Sequence, residues 1–229
     1  MPADAQLLAR VPFLAALPPE DLDWLAQRLQ RKSVPRGEIV FNKEDPGQSL
    51  FVIERGSVRI FIPGVQGSDL TLAVLAPGDF FGDLSLLDGS PRSASAASIS
   101  DCTLLVLDRS VFTSLLTAQP EAAMAVLEVL SRRLRETDQM ASDLAFQDVG
   151  ARLARKLLEL AAGSGKAHTA GTLLDVPITQ EELANMIGVT RESVNRNLAA
   201  FRREGIISLE GRRILIRDEA ALRRRTEGA

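Results

Sequence analysis

The sequence predicts an α+β protein: a small antiparallel β-barrel or jelly roll, then one long helix, then short paired helices with a β-hairpin. Three observations carry this. From Ser33 to Asp108 short β-rich runs alternate with glycine and proline turns. From Pro120 to about Asp148 apolar residues recur at helical spacing without a break. From Ile178 to Ile206 two capped helical segments are separated by one glycine.

Taken in order, residues 7–31 read as short helices, with Leu22, Leu25, Ala26 and Leu29 at helical spacing behind Pro18-Pro19-Glu20-Asp21. The predicted strands include Glu38–Phe41, Ser49–Ile53, Ser57–Ile62 and Leu70–Leu75. Pro35-Arg36-Gly37, Asp45-Pro46-Gly47, Arg55-Gly56, Pro63-Gly64 and Pro77-Gly78-Asp79 provide the turns. Regular short strands of this kind suit a barrel or jelly roll. In the long helix Leu127, Leu130, Leu134, Thr137, Ala141 and Leu144 are spaced 3, 4, 3, 4 and 3. That is an a/d seam of about three heptads, enough to pair with a second copy in a parallel homodimer. A helix buried on its own barrel is the alternative. Arg132, Arg133, Arg135 and Glu136 flank the seam.

Ala145–Val149 follows as a hinge, with Asp148 placed to cap the next helix. Gly163–Gly171 reads as a flexible loop holding a solvated His168. Thr179-Gln180-Glu181-Glu182 is a capping box opening a helix through Leu183, Ala184 and Ile187. Gly188 permits a tight turn, and Thr190 caps a second helix beginning Arg191-Glu192-Ser193-Val194. Residues 202–216 complete the unit with a helix terminus and a β-hairpin. The divisions expected are 1–119 for the barrel, 120–147 for the long helix and 148–229 for the paired helices and hairpin.

Composition narrows the function classes. The chain has 229 residues, 45% hydrophobic and 25% charged, as in an ordinary globular protein. No apolar run approaches the roughly 20 residues that span a bilayer, so no membrane association is expected. The opening Met1–Gln6 lacks a basic n-region and apolar core, and the single cysteine, Cys102, cannot form an internal disulfide. Both point to the cytoplasm. Cys102 lies in an apolar run and reads as a small buried hydrophobe. One cysteine cannot hold an iron–sulfur cluster, and neither Cys102 nor His168 stands in ligand spacing, so no metal or haem is expected. No nucleophile–base pair appears either, which argues against an enzyme. Charge is uneven: residues 1–148 carry 13 basic and 20 acidic side chains, net −7, while residues 149–229 carry 14 and 10, net +4. A basic module joined to an acidic one is expected when only the former meets a polyanion.

The densest chemistry lies in Phe81-Gly82-Asp83-Leu84-Ser85 and, nine positions after Asp83, Arg92-Ser93 among tiny residues. Arg92 offers a planar fork of donors suited to phosphate, and Ser93 adds a hydroxyl. Small residues let backbone N–H groups approach an anion. Ionised Asp83 only accepts, which suits a hydroxyl such as a ribose 2′-OH. One phosphate clamp and one ribose acceptor point to a nucleotide. The same residues are also compatible with a plain turn carrying a solvated Arg92–Asp83 pair.

Residues 178–206 hold the second signal. Arg191, Glu192 and Arg196 fall on the side and end of a helix that would enter a major groove. Arginine pairs with guanine and a carboxylate accepts from cytosine N4. Paired helices of this kind also mediate protein contacts.

Taken together, the Gly82–Ser93 cassette, the dimer-type helix and Thr190-Arg191-Glu192-Ser193-Val194-Asn195-Arg196 resemble the cyclic-AMP receptor protein (CRP/FNR) family of bacterial transcription regulators, over almost the whole chain. The resemblance implies a double-stranded β-helix (jelly roll) that binds a cyclic nucleotide, a dimerisation helix and a winged helix-turn-helix. It implies effector contacts from Gly82, Asp83, Leu84, Ser85, Arg92 and Ser93, with Thr137 and Asp138 closing over the base. It implies base reading by Arg191, Glu192 and Arg196, phosphate contacts by Thr190 and Ser193, and a further DNA contact by Thr179. The implied effector is cyclic AMP, and the implied partners are a second copy, double-stranded DNA with a TGTGA-like inverted repeat, and RNA polymerase, for an activator. The iron–sulfur oxygen-sensing branch does not fit a single cysteine. The chain departs from the family pattern at Asp83 (usually Glu), Asp138 (usually Ser), Asn195 (usually Gly) and Gln180 (often basic). A same-fold regulator with another effector or none, a nucleotide-controlled enzyme fragment and a bare dimerisation module are the rival readings.

Overall fold

Strands β1 (Gln30–Val34), β8 (Cys102–Asp108), β3 (Ser49–Arg55) and β6 (Phe80–Phe81) form one four-stranded sheet, in that spatial order. A second is ordered β2 (Ile39–Phe41), β7 (Ser95–Ser98), β4 (Val58–Ile62) and β5 (Leu70–Leu75). In this computed structural model the described residues are 8–15, 17–64, 69–174, 178–210 and 213–227. The opening Met1–Gln6 and, within the expected hairpin, Gly211-Arg212 lie outside them. Phe51, Ile53, Phe81, Cys102 and Leu104 of the first sheet meet Val58 and Ala96 of the second in an inner core. The opposite face of the first sheet, through Leu50, Val52, Leu105 and Leu107, packs on Phe13, Phe112 and the helices. A strand buried on both faces loses period-two alternation, which is why residues 104–107 read as one apolar run. Cys102 is 4% exposed, as expected of a small core residue.

Helix α1 (Pro19–Ala26) carries the expected Leu22 and Leu25 into that outer core, and α2 (Leu84–Asp88) interrupts the barrel after β6. Helices α3 (Arg109–Ala118) and α4 (Pro120–Phe146) follow β8. On α4, Ala122, Val126 and Val129 are buried against the barrel at i, i+4 and i+7. The seam read from sequence is a separate stripe: Leu127 is 54% and Leu134 61% exposed, while only Leu130 is partly packed on the barrel core. The helix therefore carries two apolar faces, and its own barrel covers one.

The chain divides into two units, one of Met1–Pro63 and Leu72–Glu136, the other of Gly64–Thr71 and Thr137–Ala229. In the second, α5 (Val149–Ser164), α6 (Gln180–Ile187), α7 (Arg191–Arg203) and α8 (Glu219–Glu227) surround Leu153, Leu157, Leu183, Val194, Leu198 and Phe201. The sheet of this unit is ordered β11 (Ile207–Glu210), β12 (Arg213–Ile216), β10 (Gly171–Leu174) and β9 (Gly165–His168). Asp148 caps α5 by accepting from Ala151 N at 2.7 Å.

Two expectations are corrected. In place of a Gly163–Gly171 loop, Gly163 and Ser164 end α5 and residues 165–174 form the β9–β10 hairpin, with Thr172 and Leu173 of β10 paired to Ile216 and Leu215 of β12. Every residue of β9 is exposed, so this edge strand shows no alternation to read. Likewise β1 begins at Gln30, inside the stretch expected to be helical. Only Val34 among its five residues is buried, and pairing with β8 rather than an apolar pattern holds it as strand.

Candidate functional site

Gly82 leaves β6 at φ +82°, a left-handed conformation, and delivers Asp83 to the start of α2. Asp83 is only 2% exposed. Its two carboxylate oxygens accept from one Arg133 nitrogen at 3.1 and 3.3 Å, and the other Arg133 nitrogen donates to Phe80 O at 2.5 Å. A buried carboxylate without such a partner would carry a large desolvation penalty. The pair leaves lone pairs of Asp83 able to accept a further donor.

Arg92 is 5% exposed and held by the surrounding loops. Its terminal nitrogens donate to Gly82 O at 2.6 Å and Ser49 O at 2.7 Å, and its guanidinium lies 4.3 Å from the Phe41 ring centroid. Its Nε is buried with no partner among the described residues. Burial pulls the Arg92 pKa down, while the Asp83 and Asp45 carboxylates oppose that shift. Close approach explains the glycines. A Cβ on Gly82 would come within 2.7 Å of an Arg92 nitrogen, and one on Gly47 within 2.3 Å of the Ser85 Cβ. The cassette thus brings together Gly82, Asp83, Leu84, Ser85 and Arg92 at one break in the barrel, with Ser93 exposed beside it. It offers a desolvated guanidinium with an unused N–H and an oriented carboxylate, a combination able to hold a phosphate ester and a hydroxyl.

Arg133 was not singled out by sequence, where it stands among Arg132, Arg135 and Glu136 as a flanking charge. Its spacing one helical turn before Thr137 is the signal that could have marked it. Thr137 and Asp138 lie on α4 with exposed side chains, beyond the boundary of the first unit.

In the second unit the Thr179 capping box is complete: Glu182 N donates to Thr179 Oγ1 at 3.1 Å and Thr179 N to Glu182 Oε2 at 2.7 Å. Gly188 turns the chain at φ +65°, and Thr190 caps α7 by accepting from Ser193 N at 3.3 Å. Arg152 of α5 donates to Ile187 O at 2.9 Å and so fixes the turn between the two helices. Val194, Leu198 and Phe201 bury one side of α7. Arg191, Glu192 and Arg196 are all exposed, Glu192 and Arg196 on the opposite arc and Arg191 at the first position of the helix, and an Arg196 nitrogen donates to Ser193 Oγ at 3.3 Å. Thr179 is half-buried, whereas Thr190 is exposed at the N-terminus of α7.

Residues 31–119 match the family model of the cyclic nucleotide-binding domain, and residues 151–225 match that of the Crp-like helix-turn-helix domain. The chain is 37% identical over 220 residues to the CRP-like cAMP-activated global transcriptional regulator of Mycobacterium tuberculosis, covering 96% of this chain and 98% of that one. It is 36% identical over 211 residues to the cyclic AMP receptor protein of Thermus thermophilus, covering 92% and 94%. Among solved structures, the c-di-GMP-responsive global regulator CLP of Xanthomonas campestris is similar at TM-score 0.77 and 26% identity, over 94% of this chain and all of that one. No helix among the described residues is long and apolar enough to cross a membrane.

Proposed function

We propose, for a chain that belongs to the CRP/FNR family of transcription regulators, that cyclic AMP is the effector and that it switches a homodimer on a TGTGA-like inverted repeat. The observation that carries this is Arg92, nearly fully buried yet with an unpartnered Nε, within one cassette with the oriented Asp83 carboxylate. The cyclic phosphate takes the guanidinium and the ribose 2′-OH donates to Asp83, which Arg133 keeps in orientation. The exposed second stripe of α4, through Leu127 and Leu134, pairs with the same stripe of a second copy. Thr137 and Asp138 close over the base and relay its presence towards the hinge. Two recognition helices then read two half-sites in the cytoplasm, and an activator of this kind also meets RNA polymerase. The relatives named as cAMP-activated support this choice of effector, while a c-di-GMP-responsive neighbour makes that dinucleotide the natural competitor.

The exposed Asp138 gives the base preference a test. An ionised carboxylate accepts from the adenine N6 amine but faces guanine O6 acceptor to acceptor. Calorimetric titration with cyclic AMP, cyclic GMP and cyclic di-GMP is expected to rank cyclic AMP first. Asp138→Ala is expected to weaken cyclic AMP and narrow its advantage over cyclic GMP. Equal losses for both nucleotides would remove Asp138 from the site.

A further inference from the structure

Two asparagines on α7 have opposite placements. Asn197 is half-buried: its Nδ2 donates to Ser193 O at 2.9 Å, and its Oδ1 lies 3.2 Å from where a Gly150 Cβ would stand. It therefore helps dock the recognition helix on α5. Asn195 is exposed and has no hydrogen-bond partner among the described residues. Asparagine is among the weaker helix formers because its amide competes for backbone groups, and Asn195 makes no such bond. No contact among the described residues accounts for it.

Position does. At about 100° per residue, Asn195 projects about 40° round from Arg191 and about 60° short of Glu192. It stands between two of the proposed base readers, exposed, and turned about 100° from the buried Val194 and about 60° from the buried Leu198. It is the fifth residue of α7, within the N-terminal part of a recognition helix that enters the groove. Along the axis it lies about 6 Å from Arg191, roughly two base-pair steps at about 3.4 Å each. A free carboxamide has one acceptor and two donors, the pair that matches adenine N6 and N7.

From this placement we infer that Asn195 is a further specificity-determining residue, reading an adenine in each half-site about two steps from the guanine taken by Arg191. The glycine usual in the family has no side chain to make this contact. The inference rests on the proposed DNA reading by α7.

Selection from random duplexes, with the full chain and saturating cyclic AMP, tests it on the wild type and Asn195→Ala. Alanine favours the helix, so folding is preserved. The wild type is expected to select an A·T pair at one position per half-site. Asn195→Ala is expected to lose that preference, roughly tenfold or more in affinity, while the Arg191 guanine is retained. Unchanged preferences at every position would overturn the inference and leave the DNA reading standing. So would a loss spread evenly over all duplexes, since that marks a phosphate contact. If the wild type selects no sequence at all, the DNA reading fails, and this inference with it.

Discussion

Arg92→Ala is expected to weaken cyclic-nucleotide binding by more than about 100-fold, from loss of two or more charge-assisted hydrogen bonds at about 1.5–3 kcal/mol each. The structure adds a consequence. Arg92 also donates to Gly82 O and Ser49 O, so alanine leaves two carbonyls short of a donor. Each group left unsatisfied costs about 1–3 kcal/mol if water cannot replace the donor. The variant is therefore expected to melt earlier than the wild type while still folding. Arg92→Lys separates the two effects: it keeps the charge but loses the planar fork, and is expected to remain deficient in binding. Calorimetry on both variants, with circular dichroism for the fold, checks this. Wild-type affinity for cyclic AMP in a folded Arg92→Ala protein would remove the cassette assignment.

Arg191→Ala is expected to cost about 1–3 kcal/mol per half-site. Over two half-sites of a symmetric dimer the loss is about 30-fold in affinity at the least. It is also expected to relax the preference at one guanine. Thr190→Ala differs in kind. It is expected to weaken all duplexes alike, because a phosphate contact carries no base information, and to lower stability by about 1 kcal/mol through loss of the α7 cap. Half-site centres are expected roughly 34–36 Å apart. Footprinting on an inverted repeat, followed by selection from random duplexes, measures both effects. Unaltered base preference in Arg191→Ala would show that another element reads the DNA.

What could be read from the chain alone follows from how local each signal is. The caps at Asp148, Thr179 and Thr190 rest on bonds to backbone groups three residues away, and all three form as expected. The strands around Ile53 and Ile60 carry side chains into a barrel core, so composition and turn residues marked them. Strands β1 and β9 gave no such signal because pairing alone defines them: most of β1 and all of β9 face solvent. The cassette residues were legible as a cluster within about a dozen positions. Arg133 was not, because its bond to Asp83 spans 50 residues of sequence and depends on how α4 packs on the barrel. The two apolar stripes of α4 overlap in sequence, and only the packing of Val126 and Val129 shows which one the barrel takes.

Linkage between the cassette and the recognition helices is read from the affinity for DNA. Binding of the full chain to a duplex carrying a TGTGA inverted repeat should be followed with no nucleotide and with saturating cyclic AMP, at one fixed salt concentration. A coupling free energy of about 1–3 kcal/mol predicts a 5- to 150-fold gain in DNA affinity, with the same gain in cyclic-AMP affinity when DNA is added first. Equal DNA affinity with and without cyclic AMP, at concentrations where calorimetry shows the nucleotide bound, would contradict it.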